Sequence, residues 1–251
     1  MKIARFLIEG KAQYVAVEEN GVRIINNSIF DDDLDVSKDL SKIDELKPLA
    51  PVLPSKIVCA GLNYRDHAKE LNMQIPDEPT LFLKPPSSVI APYENIVYPD
   101  SVTRLDYEAE LAIIIKKKAK DISVQEAGNY ILGLTCLNDV TARDLQNKDI
   151  QWTRAKSFDT FCPLGPYIVS GVDPSNLKIE LKVNDSIKQS SSTKNLIFSI
   201  DYIVSFISNI MTLLPGDIIA TGTPEGVGPL SKGDTVTVDI ESIGTLKNKV
   251  I

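Results

Sequence analysis

Two strongly apolar stretches of this chain have carboxylates at one end, and this pattern most constrains its fold. The stretch Leu-Ala-Ile-Ile-Ile at 111–115 directly follows Glu108 and Glu110, and the stretch at 130–138 runs into Asp139. In a β-strand, side chains two residues apart point to the same face. We therefore predict a β-rich fold in which Glu108 and Glu110 project from the start of one strand toward the end of a neighbouring strand that carries Asp139.

These three carboxylates form a set of hard oxygen ligands. Such a set suits Mg²⁺ or Mn²⁺, which leave positions open for water or substrate, better than Zn²⁺, which favours His and Cys. The alternative is that Glu-Ala-Glu is the polar edge of a solvated strand, because Glu is disfavoured within strands. Glu108, Glu110 and Asp139 by themselves leave both interpretations open.

The single histidine of the chain, His67, lies in the segment Gly-Leu-Asn-Tyr-Arg-Asp-His-Ala-Lys-Glu at 61–70. On a helical turn, Glu70 is a neighbour of His67 and can hydrogen-bond one imidazole nitrogen, which leaves the other nitrogen free as a base. A lone histidine is more often structural or simply exposed. The pair is therefore a candidate catalytic dyad because of the motifs that surround it.

A third group of polar residues follows Asp139. Arg143 and Gln146 are three residues apart at what the sequence indicates is a helix start, and Lys156 lies a short distance further on. Two cations and an amide near a metal ion can clamp an anionic substrate that offers two oxygens. For any one of these side chains alone, solvation at the surface is the simpler explanation, but the group as a whole favours a binding site.

Six segments, taken together, resemble the fumarylacetoacetate hydrolase family, which includes proteins similar to 2-hydroxyhepta-2,4-diene-1,7-dioate isomerase. The resemblance extends from about Lys56 to Ile251. Each segment alone is weak, but all six occur in the family's order. They are Gly-Leu-Asn-Tyr-Arg-Asp-His-Ala-Lys-Glu (61–70), Pro-Thr-Leu-Phe-Leu-Lys-Pro-Pro-Ser-Ser-Val-Ile (79–90), Leu-Asp-Tyr-Glu-Ala-Glu-Leu (105–111), Asn-Asp-Val-Thr-Ala-Arg-Asp-Leu-Gln (138–146), Ala-Lys-Ser-Phe-Asp-Thr-Phe-Cys-Pro-Leu-Gly-Pro (155–166) and Leu-Pro-Gly-Asp-Ile-Ile-Ala-Thr-Gly-Thr-Pro-Glu-Gly-Val-Gly (214–228).

The resemblance implies a role for each candidate residue. It makes the carboxylates ligands of one divalent ion, usually Mg²⁺ and sometimes Mn²⁺ or Ca²⁺, and it makes His67 and Glu70 the pair that activates water. The pocket residues that it implies are Arg143, Gln146, Lys156 and Thr221. The family's namesake has a further carboxylate ligand from an N-terminal segment that does not align with this chain, so we expect water at that position.

The resemblance also implies a fold and an assembly. The expected fold is a β-rich α+β fold, the family's mixed β-sandwich roll, with a few peripheral helices and a small N-terminal β-rich domain. The expected assembly is a homodimer. The expected partner is a small oxo acid.

The chemistry that this residue set permits is cleavage of a C–C bond in an acylpyruvate or other 1,3-diketo acid by a metal-dependent hydrolase. The same residues permit three alternatives: an isomerase of 2-hydroxy-dienoates, a decarboxylase of oxaloacetate-type acids and a sugar-acid dehydratase. A different class also remains open, a non-catalytic protein that binds a metal ion and an oxo acid. The dyad of His67 and Glu70 counts against it, because a binding protein needs no base.

Charge and hydrophobic pattern exclude several classes of protein. A net charge of −7, with no basic cluster longer than Lys-Lys-Lys at 116–118, argues against nucleic-acid binding. Apolar runs fall short of the roughly 18 to 20 residues that a membrane span needs, so we expect no membrane partner and a cytoplasmic location. The cysteines Cys59, Cys136 and Cys162 lack paired spacing and are expected to be reduced and buried.

The local pattern divides the chain into a small N-terminal β-rich domain (1–52) and a catalytic domain (53–251). Strands are predicted at 2–9, 12–18 and 22–26, with a hairpin at Asn20-Gly21, and the acidic segment 32–46 is predicted to be partly helical. The proline-rich segment 47–54 is expected to be extended. Further on, the pattern predicts a strand at 177–183 with a turn at Asn184-Asp185, and a helix over 200–213 capped by Ser199.

Overall fold

The computed structural model describes residues 1–42 and 46–251, and strands dominate it. The strands are β1 (Lys2–Ile8), β2 (Lys11–Glu18), β3 (Gly21–Ile24), β4 (Lys47–Pro48), β5 (Ile57–Ala60), β6 (Leu81–Lys84), β7 (Val89–Ile90), β8 (Asn95–Ile96), β9 (Leu105–Tyr107), β10 (Ala109–Ile115), β11 (Ile131–Asn138), β12 (Thr141–Ala142), β13 (Cys162–Val169), β14 (Lys178–Val183), β15 (Ser186–Ser192), β16 (Ile218–Ala220), β17 (Gly228–Pro229), β18 (Thr235–Ile240) and β19 (Gly244–Val250). The α-helices are α1 (Arg65–Glu70), α2 (Arg143–Lys148), α3 (Thr153–Lys156) and α4 (Ile200–Ile210), and 3₁₀ helices cover Pro86–Ser88, Val124–Tyr130, Pro174–Asn176 and Thr193–Asn195.

The main sheet is built around β10. Its strand order is β3-β2-β1-β13-β11-β10-β16-β5-β6, with β4 paired to β1 and β7 paired to β13. Leu111 and Ile113 of β10 face one hydrophobic core, and Ala112 and Ile114 face a second core on the opposite side. Because both faces of β10 are covered, the strand is a continuous apolar run from Leu111 to Ile115 and does not alternate with polar residues there.

A second sheet, with the order β15-β14-β18-β19-β8, covers one of these cores. In β14 every other residue is buried, Ile179, Leu181 and Val183, as the alternation predicts for a strand with one face on the core. The strand ends at the turn Asn184-Asp185, whose φ angles of 49° and 67° are those of a tight hairpin. Together with a small sheet of order β12-β9-β17, this confirms the predicted β-rich fold of the family's type.

Helix α4 begins at its predicted cap, because the Ser199 hydroxyl accepts a hydrogen bond from Tyr202 N at 3.3 Å. Its buried residues Ile200, Ile203 and Ile207 recur at helical spacing and pack on the larger core. The helix stops at Ile210, three residues earlier than predicted. The reason is that Leu213 forms a β-bridge with Ala119, which requires an extended chain there.

At the N-terminus, β2 and β3 form the predicted hairpin, with Glu18 opposite Gly21. Strand β1 pairs with β13, so these strands extend the main sheet. The domain boundary near residue 52 stays a prediction. The proline-rich segment 47–54, which spans this boundary, begins with β4, and β4 pairs with β1.

The predicted partial helix at 32–46 is wrong for residues 32–42, which form bends, irregular chain and isolated bridges; residues 43–45 lie outside the described part of the chain. The side chain of Asn27 explains the difference. Its amide donates to the carboxylate of Asp31, and its carbonyl accepts from the backbone of Asp35 at 2.8 Å. Such side-chain to backbone bonds replace the helical hydrogen bonds.

The three cysteines are free and buried, as predicted. Among the described helices, none has the length and apolar character needed to cross a membrane.

Candidate active site

The pairing of β10 with β11 brings the three predicted carboxylates together. The strands are antiparallel and Ala109 lies opposite Asn138, so the start of β10 meets the end of β11. One oxygen from each of Glu108, Glu110 and Asp139 lies within 4.8 Å of the others, and all three residues are buried. We call these residues the carboxylate triad.

Two members of the triad have buried cationic partners. The Lys156 ammonium donates to Glu108 Oε2 at 2.9 Å and to Asp139 Oδ2 at 2.6 Å. On its other oxygen, Asp139 accepts from Lys84 Nζ at 2.6 Å. Glu108 also contacts the guanidinium of Arg143. The charges of Glu108 and Asp139 are therefore balanced within the protein.

Glu110 differs from its neighbours. Within the described residues it forms no ion pair, and it accepts a hydrogen bond from Gly222 N at 2.7 Å. Burial raises the pKa of Glu110 well above its ordinary value, and the nearby Asp139 and Glu108 raise it further. For Glu108, burial acts in the same direction but Lys156 and Arg143 outweigh it and lower the pKa to about 2.

This arrangement fits a divalent cation. The triad offers three carboxylate oxygens within the spacing of ligands around one ion, and Glu110 lacks a positive partner among the described residues. Ligand oxygens at 2.0 to 2.6 Å from a central ion are roughly 3 to 5 Å from one another, which matches this cluster. The triad has no sulfur or imidazole donor. Hard ions such as Mg²⁺, Mn²⁺ or Ca²⁺ therefore suit it best.

The predicted dyad is formed on α1. His67 Nδ1 and Glu70 Oε2 are 2.9 Å apart, and Gly226 N donates to Glu70 Oε1 at 3.1 Å. The start of the helix is anchored because the Asp66 carboxylate accepts from Asn195 Nδ2 at 3.1 Å. Among the described residues, the other ring nitrogen of His67 has no hydrogen-bond partner.

A cavity of about 520 Å³ connects these groups. The aromatic side chains of Phe82 and Trp152, in edge-to-face contact with ring centroids 5.3 Å apart, form an apolar wall. The cavity is lined by eight predicted site residues, His67, Glu70, Glu108, Glu110, Asp139, Arg143, Gln146 and Lys156. The structure thus places the dyad, the triad and the cations around one space.

The ninth predicted residue, Thr221, lies behind this lining. Its side chain is buried and its hydroxyl donates to the Leu111 carbonyl at 2.8 Å, whereas Thr223 lines the cavity. The side chain of Gln146 faces the cavity and accepts a hydrogen bond from Arg143. The substrate-binding roles of Thr221, Gln146 and Arg143 stay predictions.

Sequence reasoning missed three charged residues of this site: Arg104, which lines the cavity and is largely exposed, and two others, Lys84 and Asp106. Lys84 and Asp106 are both buried, and Asp106 accepts from Arg143 Nε at 2.9 Å. A signal for each of these two was present. Lys84 ends an apolar strand just before Pro-Pro. Asp106 precedes Glu108 by two residues, the same spacing that separates Glu108 from Glu110, so its side chain is expected on the same face.

Comparison with known proteins gives the family of this chain. The family model described as "Fumarylacetoacetate (FAA) hydrolase C-terminal" matches residues 56–251. This chain belongs to the fumarylacetoacetate hydrolase family. The predicted family is thereby confirmed.

Relatives within the fumarylacetoacetate hydrolase family cover most of the chain. A protein from Methanocaldococcus jannaschii is 57% identical over 87% of this chain and 92% of its own length. The mitochondrial oxaloacetate tautomerase Fahd2a of Rattus norvegicus is 44% identical over 81% of this chain and 69% of its own length. The crystal structure of 2-hydroxyhepta-2,4-diene-1,7-dioate isomerase from Mycobacterium marinum has a TM-score of 0.93 and 41% identity, covering 100% of this chain and 98% of that one.

Proposed function

We propose that the protein is an enzyme that moves a proton at the carbon next to the keto group of a small 2-oxo acid, as a tautomerase or isomerase. The observation that carries this proposal is the His67–Glu70 pair, 2.9 Å apart, at the same cavity as the triad and Lys156. The names of the rat tautomerase and the M. marinum isomerase support it, since both reactions rearrange an enol and a keto form.

The metal ion that we propose is Mg²⁺ or Mn²⁺, held by Glu108, Glu110 and Asp139. When bound there, a divalent ion supplies Lewis acidity to the carboxylate and keto oxygens of a 2-oxo acid. The buried charges of Lys156 and Lys84 keep Glu108 and Asp139 oriented toward this position.

The proton transfer is the task of the dyad. His67 accepts the proton from the carbon through the ring nitrogen that does not face Glu70. The C–H electron pair forms the new C=C bond, and the π pair of the carbonyl moves onto the keto oxygen as the enolate forms. Glu70, bonded to Nδ1, stabilises the resulting imidazolium. Return of the proton to oxygen completes a tautomerisation, and return to a more distant carbon completes an isomerisation.

Lys156 stabilises the negative charge that develops during this step. Its ammonium uses two of its three N–H donors on Glu108 and Asp139, so one donor remains for a substrate oxygen. Because Lys156 is only 2% exposed, this interaction is little screened by solvent. Burial would lower the pKa of Lys156, but Asp139 and Glu108 outweigh it and raise the pKa, so the side chain is cationic.

Hydrolysis of a C–C bond in an acylpyruvate is the second candidate function. The same dyad favours it, because a histidine held by a carboxylate can deprotonate water as well as a carbon acid. Decarboxylation and sugar-acid dehydration use the same metal and cation set, and a purely binding protein would not need the dyad. Identifying the products of the reaction is therefore the way to distinguish these candidate functions.

The test is an assay of the Mg²⁺- or Mn²⁺-loaded protein with oxaloacetate, 2-hydroxy-dienoates and acylpyruvates. Loss of enol absorbance with the carbon skeleton intact identifies a tautomerase or isomerase, release of pyruvate with a carboxylic acid identifies a hydrolase, and release of CO₂ identifies a decarboxylase. We expect enol–keto conversion of oxaloacetate or a dienoate. His67→Asn should lower kcat by about 10²–10⁴-fold, the usual contribution of a general base.

Metal affinity provides the control, because His67 is not a member of the triad. Unchanged Mn²⁺ binding by His67→Asn would place the loss in the proton transfer. No acceleration of any enol–keto conversion by the wild-type protein would refute the proposed tautomerase.

A further inference from the structure

Arg104 lies at the outer end of the strand segment that carries the site. Residues 104, 106, 108 and 110 alternate along an extended chain, and all four line the cavity. Each step of two residues spans about 6.6 Å. Arg104 therefore stands one step beyond Asp106 and two steps beyond Glu108, on the same side of the chain as both.

Arg104 is held in place by a buried carboxylate. Its Nε donates to Asp106 Oδ1 at 2.9 Å and its Nη2 donates to Asp106 Oδ2 at 3.1 Å. Asp106 is inaccessible to solvent and also accepts from Arg143. This paired geometry fixes the guanidinium at the cavity, although 53% of the Arg104 side chain is exposed.

Within residues 1–42 and 46–251, Arg104 has more N–H donors without a partner than the other cations of the cavity. Arg143 donates through all three nitrogens, to Asp106, Gln146 and Glu108, and is 20% exposed. Lys156 is buried against the triad. Arg104 Nη1 has no hydrogen-bond partner among the described residues. An arginine that is fixed, partly exposed and has free N–H groups is suited to receive a carboxylate.

We propose that Arg104 binds a second, distal carboxylate of the substrate, so that the site selects 2-oxo dicarboxylates over 2-oxo monocarboxylates. This proposal rests on the function proposed above, because the first carboxylate is the one that accompanies the reacting keto group. Arg104 would be a specificity residue. It stabilises bound dicarboxylates without contacting the carbon that exchanges its proton.

The experiment measures binding, separately from turnover. Calorimetry on the Mn²⁺-loaded protein compares 2-hydroxy dicarboxylates of four, five and six carbons (malate, 2-hydroxyglutarate and 2-hydroxyadipate) with 2-hydroxy monocarboxylates of equal length. We expect the wild-type protein to prefer the dicarboxylate at one or more lengths. Arg104→Gln should reduce that preference by about 10-fold or more, the usual value of a charge-assisted hydrogen bond, with little change for the monocarboxylates.

Arg154 offers a matched control. It pairs with Asp149 through two nitrogens at 2.8 and 2.5 Å and is 52% exposed, but it does not line this cavity. Arg154→Gln should leave the dicarboxylate preference unchanged. Arg104→Lys, which keeps the charge but not the paired geometry, should retain part of the preference, and it replaces Arg104→Gln if that variant fails to fold.

The outcomes separate this proposal from the proposed function. An equal loss of affinity for dicarboxylates and monocarboxylates in Arg104→Gln would overturn the role of Arg104, even if the enzyme is active. An unchanged preference for dicarboxylates at every chain length would overturn it as well. A preference that depends on Arg104 in a protein that converts no oxo acid would support the role of Arg104 and refute the proposed reaction.

Discussion

At the scale of single residues, the site is organised by an uneven distribution of charge. Glu108 and Asp139 have cations within 3 Å, whereas Glu110 has none among the described residues. A buried carboxylate beside two others is unfavourable unless a cation or a proton compensates it. The consequence is that Glu110 should matter most for metal binding and least for stability without metal.

Glu110→Gln tests this distribution directly. We expect Mn²⁺ affinity to fall by about 100-fold or more, because one of three charged ligands is lost. In EDTA the Tm should stay equal to that of the wild type or rise, since the amide removes the repulsion from Asp139 and Glu108. Titration calorimetry and thermal unfolding measure the two effects. Unchanged Mn²⁺ affinity would remove Glu110 from the site, and Glu19→Gln in the exposed β2–β3 turn is the control.

Lys84→Met tests the buried pair with Asp139. Removing one partner of a buried ion pair typically costs about 3–5 kcal/mol, because the other charge stays buried. We expect a loss of this order in EDTA, reduced by the remaining contact with Lys156, and a smaller loss in Mn²⁺, which supplies positive charge to Asp139. Lys178→Met, which removes an exposed lysine that pairs with Glu180, should change stability by less than about 0.5 kcal/mol. Equal losses with and without Mn²⁺ would contradict a metal ion beside Asp139.

At the scale of elements, the site depends on how α1 meets the loop after β16. That loop supplies Gly222 N to Glu110 and Gly226 N to Glu70, so it touches both the triad and the dyad. Gly226 has a φ of +91°, and a Cβ there would lie 2.3 Å from Lys188 O. The backbone can occupy this position because the residue has no side chain.

Gly226→Ala should therefore displace the loop and weaken the support of Glu70. We expect kcat to fall by about 10-fold or more and Mn²⁺ affinity to fall less, because the contact of this loop with the triad is made by Gly222 and not by Gly226. Gly10→Ala is the matched control, with a φ of +75° and no atom within 4 Å of the added Cβ. It carries the same left-handed backbone strain, of about 1 kcal/mol, without the clash. Equal activity of the two variants would show that the Gly226 contact does not position the dyad.

At the scale of the whole molecule, the two larger sheets enclose the main core and leave the site at the edge where β10 begins. The family resemblance adds the proposal of a two-fold homodimer. Light scattering at micromolar concentration should then give twice the chain mass of 27.6 kDa. A species of 27.6 kDa that persists as the protein concentration is raised would contradict the dimer.

Local features of the sequence determined the elements of this fold. The apolar run of β10 follows from burial of both faces of that strand, and the alternation in β14 follows from burial of one face. The spacing of buried residues in α4 follows from burial of one stripe along the helix. The proximity of Glu108 to Glu110, and of His67 to Glu70, also follows from local periodicity. The acidic segment at 32–42 was predicted wrongly, because side-chain hydrogen bonds from Asn27 replace helical ones there.

The tertiary structure decided which distant residues meet. Asp139 joins Glu108 because β10 and β11 pair in one particular register, and Lys84 arrives from β6, three strands away from β10 in the sheet order. It also decided which donors remain free: Arg143 is occupied through all its nitrogens, Thr221 donates to a backbone carbonyl, and Arg104 Nη1 has no partner in the described part of the chain. Local periodicity cannot predict such contacts, because register and side-chain direction are set by packing between segments far apart in the sequence.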